Sequence, residues 1–245
     1  RYAEDEALKN HRAEVLHAVE AGDGDLDLDQ ALALMRGAVI SGEVCPPRVV
    51  ARIASAVADA NMRCHLATMA RLGVGYDVLP HESDILHLGF WARAFELLKE
   101  SGAIRLEDDG KNAGCWVMSL ADSPEFADMD DPDKILVRSN GTVTYTGKDI
   151  AYQLWKFGLL EDPDGTRHDF GYLPFASWRR HGPALPILYD RGETVLYRTS
   201  ARPEDRPDDR VFGAGHRVYN VIDVRQSYPQ KVVKEAVRVL GHPEA

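Results

Sequence analysis

Apolar residues recur at spacings of three to five along the first 71 positions, as in Leu32, Met35 and Val39, then Val49, Ile53, Val57, Met62 and Leu66. That spacing predicts amphipathic helix. The segments "AGDGDLD" (21–27) and "SGEVCPP" (41–47) interrupt it, because glycine frees the backbone and Cys-Pro-Pro cannot continue a helix, so two or three helices are expected. Beyond Gly73 and Gly75 the pattern changes to "YDVLPHESDIL", a short extended run, with Ser83-Asp84 as caps for a helix through "LGFWARAFELLKES" to Gly102. "AIRLEDDGKNAGCWVMSL" has apolar runs on both sides of Asp109-Gly110, which predicts an antiparallel hairpin. "KILVRSNGTVTYTGKDIAYQLWKFG" repeats the arrangement, with 135–137 extended, a turn at Asn140-Gly141, 142–145 extended, and a helix to Gly158. Residues 161–217 lack sustained periodicity apart from "PILYD" and the strand-like "ETVLYR", and read as an irregular insertion. "VYNVIDV" is an apolar run of the buried parallel-strand type, and "YPQKVVKEAVRVLG" is an amphipathic helix ended by Gly241. Strand-then-helix units of this kind predict an α/β fold.

The 245 residues suffice for one large domain or two small ones, and a hydrophobic content of 44% allows an ordinary globular core. Asp and Glu outnumber Lys and Arg by 39 to 29, so nucleic acid contact needs a local basic patch, while cationic ligands are favoured. Cys45, Cys64 and Cys115 form no C-x-x-C pair, which argues against a disulfide framework or a zinc site and for a reducing cytoplasm. No apolar run approaches the roughly 20 residues that span a bilayer, and no secretory signal is recognisable, so no membrane partner is expected. The chain opens on Arg1 in a segment that already reads as mid-helix, the pattern of an excerpt.

Ligands of open parallel sheets bind beyond the carboxyl ends of the strands. Three clusters are expected there: Glu82-Ser83-Asp84 after "YDVLP", residues 145–149 after "GTVT", and 223–226 after "VYNVIDV". Two carboxylates, a phenol and an amide suit one planar cation, because a guanidinium presents five N–H donors in a fixed fork. Each cluster also has a plainer reading. Thr146-Gly-Lys-Asp149 has the spacing of a capping box, Ser83-Asp84 that of a helix cap, and Arg225-Gln226 that of a polar strand end. His216 after "GAG" reads as a loop histidine, and Lys111-Asn112 as turn chemistry. No G-x-G-x-x-G or Walker A sequence supports a generic nucleotide-binding enzyme.

The order of these clusters resembles the catalytic domain of arginyl-tRNA synthetases, which are class I aminoacyl-tRNA synthetases. "YDVLPHESDIL" is similar to the family's tyrosine-aspartate strand and Glu-Ser segment. "ILVRSNGTVTYTGKDIAYQLWKFG" resembles its Arg-Ser-Asn/Asp-Gly-Thr…Thr-Tyr…Asp-Ile-Ala stretch, and "YNVIDVRQSYPQKVVKEAVRVLG" its Val-Asp-x-Arg-Gln segment. The resemblance runs from about Met62 to Gly241. It implies the second part of a class I Rossmann-like parallel sheet, with a helical connective region over 1–72, an α/β catalytic segment with a hairpin over 73–160, the insertion over 161–217, and a Rossmann-like strand and helix over 218–245.

By the same resemblance Glu82, Tyr145 and Asp149 are arginine-pocket residues and Gln226 a nearby pocket amide. ATP with Mg2+ is then the co-substrate and tRNA(Arg) the acceptor, with no catalytic side chain and no resident metal assigned within this chain. The family's two ATP signatures, His-Ile-Gly-His and Lys-Met-Ser-Lys-Ser, are absent from 1–245, so the intact protein is expected to be the ligase and the isolated segment to be inactive. Tyr228 stands where the family pattern has a histidine. A non-catalytic amino-acid-binding or scaffold module is the alternative.

Overall fold

The computed structural model describes residues 26–121, 132–178, 194–202 and 212–242, together with single positions among 7–18, 123–126 and 204–205. Contacts divide the chain into two discontinuous units, one formed by 1–79 and 174–198 and the other by 80–173 and 199–245. The strand-like "PILYD" lies outside the described residues.

Among the described residues of the first unit, two helices pack together, α1 (Leu28–Ser41) and α2 (Pro47–Arg71). Asp27 caps α1 by accepting from the Asp29 N–H, and Gly42 at φ 75° ends it in a conformation that disfavours any side chain. Pro47 then opens α2, where its missing N–H costs nothing. The expected break at 41–47 is therefore present; of the break at 21–27 only Leu26 and Asp27 are among the described residues, and both are non-helical. The unit's core joins Leu66 of α2 to Phe175 and Leu196, with Tyr76 and Leu79 beside them. Its sheet has the order β1 (Val78–Leu79), β6 (Thr194–Ser200), β5 (Gly171–Trp178), and β1 runs parallel to β6 with Val78 opposite Tyr197. The stretch 161–217 is thus less irregular than its sequence suggests, since it carries both β5 and β6. Pro174 interrupts the pattern of β5, which conceals it from a periodicity reading.

The second unit opens with two helices in place of the single expected one. α3 (Glu82–His87) and α4 (Phe90–Glu100) are separated by Leu88-Gly89, Gly89 adopting φ 69°. Asp84 does not cap α3. Its buried carboxylate accepts from Thr199 Oγ1 at 2.6 Å, and the residue at the N-cap is His81. An antiparallel meander follows: β2 (Ile104–Leu106), β3 (Trp116–Ser119) and β4 (Asp133–Val137). The turn at Asn140-Gly141 folds back to give a bridge between Val137 and Val143, and α5 (Tyr145–Phe157) starts immediately afterwards. α6 (Ser227–Val239) completes the unit and packs on α5. Phe90, Leu136, Ile150, Leu154, Trp155, Phe170, Val232 and Ala236 form its buried interior. Phe170 sits at its centre, 4.5 Å from the Phe90 ring and 4.9 Å from that of Trp155.

One expected element is absent. Residues 218–223 form no strand in this structure, and Tyr219, Val221, Ile222 and Val224 are exposed, Val221 completely. The apolar run meets no neighbouring strand among the described residues, and without a ladder its backbone gains nothing by becoming β. The observed architecture is mixed α/β with one partly parallel and one antiparallel sheet.

Candidate functional site

The site is built on the first turns of α5. Thr144 is its N-cap: the backbone is extended there (φ −76°, ψ 164°), the hydroxyl accepts from the Gly147 N–H at 3.4 Å, and it donates to the Ile135 carbonyl at 3.1 Å. One threonine thus closes the helix end and ties it to β4. The cap falls two residues before the Thr146 that the sequence pattern favoured, so Asp149 lies inside the helix and caps nothing. Tyr145 and Asp149, four residues apart, share one face one turn apart. Gly147 lies between them because α5 runs close to its neighbours. A side chain there would meet Val143 Cγ1 at 3.0 Å and the Trp91 ring at 3.1 Å.

Asp149 is half-buried, and its Oδ2 has no hydrogen-bond partner although no solvent reaches it. Burial pushes its carboxyl up to about 6, the Glu82 carboxylate adds to the rise, and Lys156 and a hydrogen bond from Tyr145 hold it back. Tyr145 is 57% exposed, and its phenol is raised by the burial that it has, then by Asp149 and by Glu82. That hydrogen bond from Tyr145 leaves Oδ2 without a partner. A buried carboxylate oxygen without a donor is costly, and a raised carboxyl pKa is the electrostatic trace of that cost.

Glu82, at the first position of α3, reaches the same neighbourhood from the other side. Its Oε1 lies 2.8 Å from Lys148 Nζ, and its charge acts on both Asp149 and Tyr145. Three of the four expected site residues are therefore together. A second cation, Lys156, stands two turns beyond Asp149, its pKa lowered by burial and raised by Asp149. Its ammonium donates to Asn220 Oδ1 at 2.9 Å and lies 4.4 Å above the Tyr152 ring. Asn220 in turn donates to Gln153 of α5 at 3.3 Å and to Gln230 of α6 at 2.9 Å, which anchors the segment leading to Gln226.

Gln226 is not in contact with Asp149. It is the exposed last residue of a short 3-10 turn, Val224–Gln226, and with Tyr145 it lines a cleft of about 860 Å3 that also takes in Asn112, Lys134, Arg138 and Tyr228. That volume lies within the usual range of small-molecule sites. Lys134 lies 5.0 Å above the Tyr228 ring. Tyr145 is the residue common to cleft and carboxylate cluster. Sequence reasoning missed Lys148, Lys156 and Lys134, and took Asn112 for turn chemistry alone. Among these only Lys156 carried a signal, the spacing of seven from Asp149 that returns a helix to the same face. His216 is an exposed loop residue, as expected. Among the described residues no three His, Cys, Asp or Glu side chains are grouped to hold a metal ion, and no helix is long and apolar enough to cross a membrane.

No family model matches the chain. Individual proteins do. The arginine–tRNA ligase of Deinococcus radiodurans is 38% identical over 188 residues, 76% of this chain and 27% of the relative. That of Thermus thermophilus is 38% identical over 73% of the chain, and that of Thermococcus kodakarensis 34% identical over 80%. The solved Thermus thermophilus arginyl-tRNA synthetase superposes with a TM-score of 0.57 at 28% identity, covering 94% of this chain and 37% of that one. Sequence and fold together make the chain homologous to a segment of the aminoacyl-tRNA synthetases. More narrowly, it belongs with the arginyl-tRNA synthetases, whose curated members are arginine–tRNA ligases and hence enzymes. The chain spans about a quarter of the length of the curated relatives it matches.

Proposed function

We propose that this chain is the arginine-binding segment of an arginyl-tRNA synthetase, with Asp149, Glu82 and Tyr145 receiving the guanidinium group and Gln226 contributing an amide from the adjoining cleft. The observation that carries the reading is the unpartnered, solvent-excluded Oδ2 of Asp149 in a helix whose cap is already supplied by Thr144. A guanidinium supplies what that oxygen lacks, a charged donor in a planar fork, and its charge lowers the carboxyl pKa that burial has raised. A site that hydrogen-bonds such a fork rejects analogues without it.

In the intact protein the reading implies activation of arginine by ATP and transfer of the arginyl group to tRNA(Arg), in the cytoplasm. Catalysis there rests on positioning and charge stabilisation. The contribution of this chain's residues is to hold the arginine side chain so that its carboxylate projects toward ATP. Mg2+ would accompany the ATP phosphates, and no step is assigned to a metal held by this segment. In fold terms, Tyr219 to Val224 become a buried strand of a Rossmann-like parallel sheet in the longer protein, and residues 1–72 act as a connective region. The exposed side chains of Tyr219, Val221, Ile222 and Val224 support the strand placement, since an open apolar run of this kind is otherwise a liability.

The test is calorimetric titration of the chain with L-arginine and, in parallel, arginine-dependent ATP–pyrophosphate exchange by the protein encoded by the complete reading frame. Binding that is lost in Asp149→Asn, together with exchange only in the longer protein, supports the reading. Binding without exchange in any form favours an amino-acid-binding module instead, and no arginine binding at all overturns both.

A further inference from the structure

Two carboxylates and two lysines face each other at this site, and the lysines are held differently. Lys156 is fixed by Asn220, stacks on Tyr152 and is mostly buried. Lys148 pairs with the Oε1 of Glu82 at 2.8 Å, across a pair whose carboxylate side chain is 57% exposed and whose ammonium side chain is 21% exposed. Lys148 is also the immediate neighbour of Asp149 in α5, so the residue that occupies Glu82 and the residue with the empty oxygen enter the site from the same turn. Of the two carboxylates, one is therefore satisfied by an internal ammonium while the other waits.

We propose that Lys148 is an internal placeholder cation, holding Glu82 until an arginine guanidinium displaces it. The inference rests on the arginine reading of the site. Its logic is a count of charge-assisted hydrogen bonds. An incoming ammonium that takes Glu82 replaces one ammonium by another and gains nothing at that carboxylate, while it pays the entropy of its own immobilisation. A guanidinium fork spans two acceptors at once, taking Glu82 and also filling the vacant Oδ2 of Asp149. Lys148, on a flexible four-carbon stem, swings out at modest cost because its pair is open to solvent on the Glu82 side and such a partly exposed ion pair is weak. The contact thus lowers affinity for any cation that must take Glu82, and the gain at Asp149 is what lets a guanidinium displace it.

The experiment measures L-arginine and L-lysine binding to the full 245-residue chain by calorimetry or by ligand-observed NMR for five proteins: the parent, Lys148→Met, Glu82→Gln, the double variant, and Asp149→Asn. Lys148→Met is expected to tighten arginine roughly two- to fivefold, the range a partly exposed ion pair can hold back. It should tighten lysine by no more than that, since an ammonium can take Asp149 without displacing Lys148. In the background of Glu82→Gln the same change should give no gain, because the competitor then has nothing to occupy. A purely structural Lys148 predicts the reverse, a lower melting temperature and weaker or unchanged arginine binding in Lys148→Met, and that result overturns the inference. If Asp149→Asn leaves arginine binding unchanged, or the parent does not bind arginine, the arginine reading itself fails and the placeholder falls with it. A loss in Asp149→Asn without a gain in Lys148→Met removes the placeholder alone.

Discussion

Asp149→Asn separates the stability of this fold from its ligand chemistry, because the structure gives the two effects opposite signs. The carboxyl rises from 3.8 to about 6 in the folded protein, chiefly through burial and then through Glu82. The folded state therefore binds this proton more tightly than the unfolded chain does. The group's contribution to stability is complete below the unfolded value of 3.8 and is lost as pH climbs through about 6. At full strength that shift corresponds to about 3 kcal/mol. Asp149 is only half-buried, and solvent screening reduces the penalty at neutral pH to the order of 1 kcal/mol. An amide carries no charge to desolvate, so Asp149→Asn should raise the melting temperature by about 2–4 °C at pH 7.5 and by little at pH 4. Arginine binding moves the other way. Removing one charged partner from a desolvated pair costs about 2–5 kcal/mol, and the half-buried position argues for the lower end, roughly a 30-fold weakening. The assay is thermal unfolding at the two pH values together with calorimetric titration of arginine at pH 7.5. A variant that melts lower than its parent at pH 7.5 while binding arginine equally well would refute this reasoning and return Asp149 to a structural role.

Further consequences can be measured on the same protein. Tyr145→Phe should weaken arginine binding by a few fold, because one neutral hydrogen bond is worth about 0.5–1.5 kcal/mol net, and calorimetry on the two proteins compares them directly. Arginine affinity in the parent should fall as pH drops below about 6, at most tenfold per pH unit, since the ligand requires the Asp149 carboxylate; Asp149→Asn should flatten that profile between pH 5 and pH 7. Gly147→Ala gains helix propensity but drives a methyl into Val143 and the Trp91 ring, and the packing conflict should prevail by about 1 kcal/mol, read as a lower melting temperature. Asp169→Ala strips an acceptor from Trp155 Nε1, the Phe170 N–H and the Tyr172 hydroxyl at 2.9, 2.9 and 2.7 Å, and should destabilise by about 2–4 kcal/mol in a denaturant titration while arginine binding to the folded fraction is retained.

The parts of this molecule that its sequence disclosed are those decided locally. The two described helices of the first unit, the break at 41–47, the hairpin around Asp109-Gly110 and the helix after "GTVT" follow from periodicity and from glycine and proline, and all are present. Thr144 and Thr146 both fit a cap, and the choice between them turns on where the backbone leaves extended geometry, which no composition rule states. The run "VYNVIDV" shows the opposite limit. Its apolar pattern is that of a buried strand, yet burial needs a neighbour, and none of the described residues supplies one. At the site, the face shared by Tyr145 and Asp149 was legible from a spacing of four. The pairing of Lys148 with Glu82 was not, because it joins two helices whose approach is set by packing of α3, α4 and α5.

The central claim, that Asp149 receives a guanidinium, is tested most directly by following its side-chain carboxyl carbon by NMR across pH 3–9 with and without saturating L-arginine. The account predicts titration near 6 in the free protein and a clear displacement to lower pH when arginine is bound, as a cation placed against the carboxylate favours its charged form. An Asp149 titration curve that arginine leaves where it was would contradict the claim, whatever the affinity measured elsewhere on the protein.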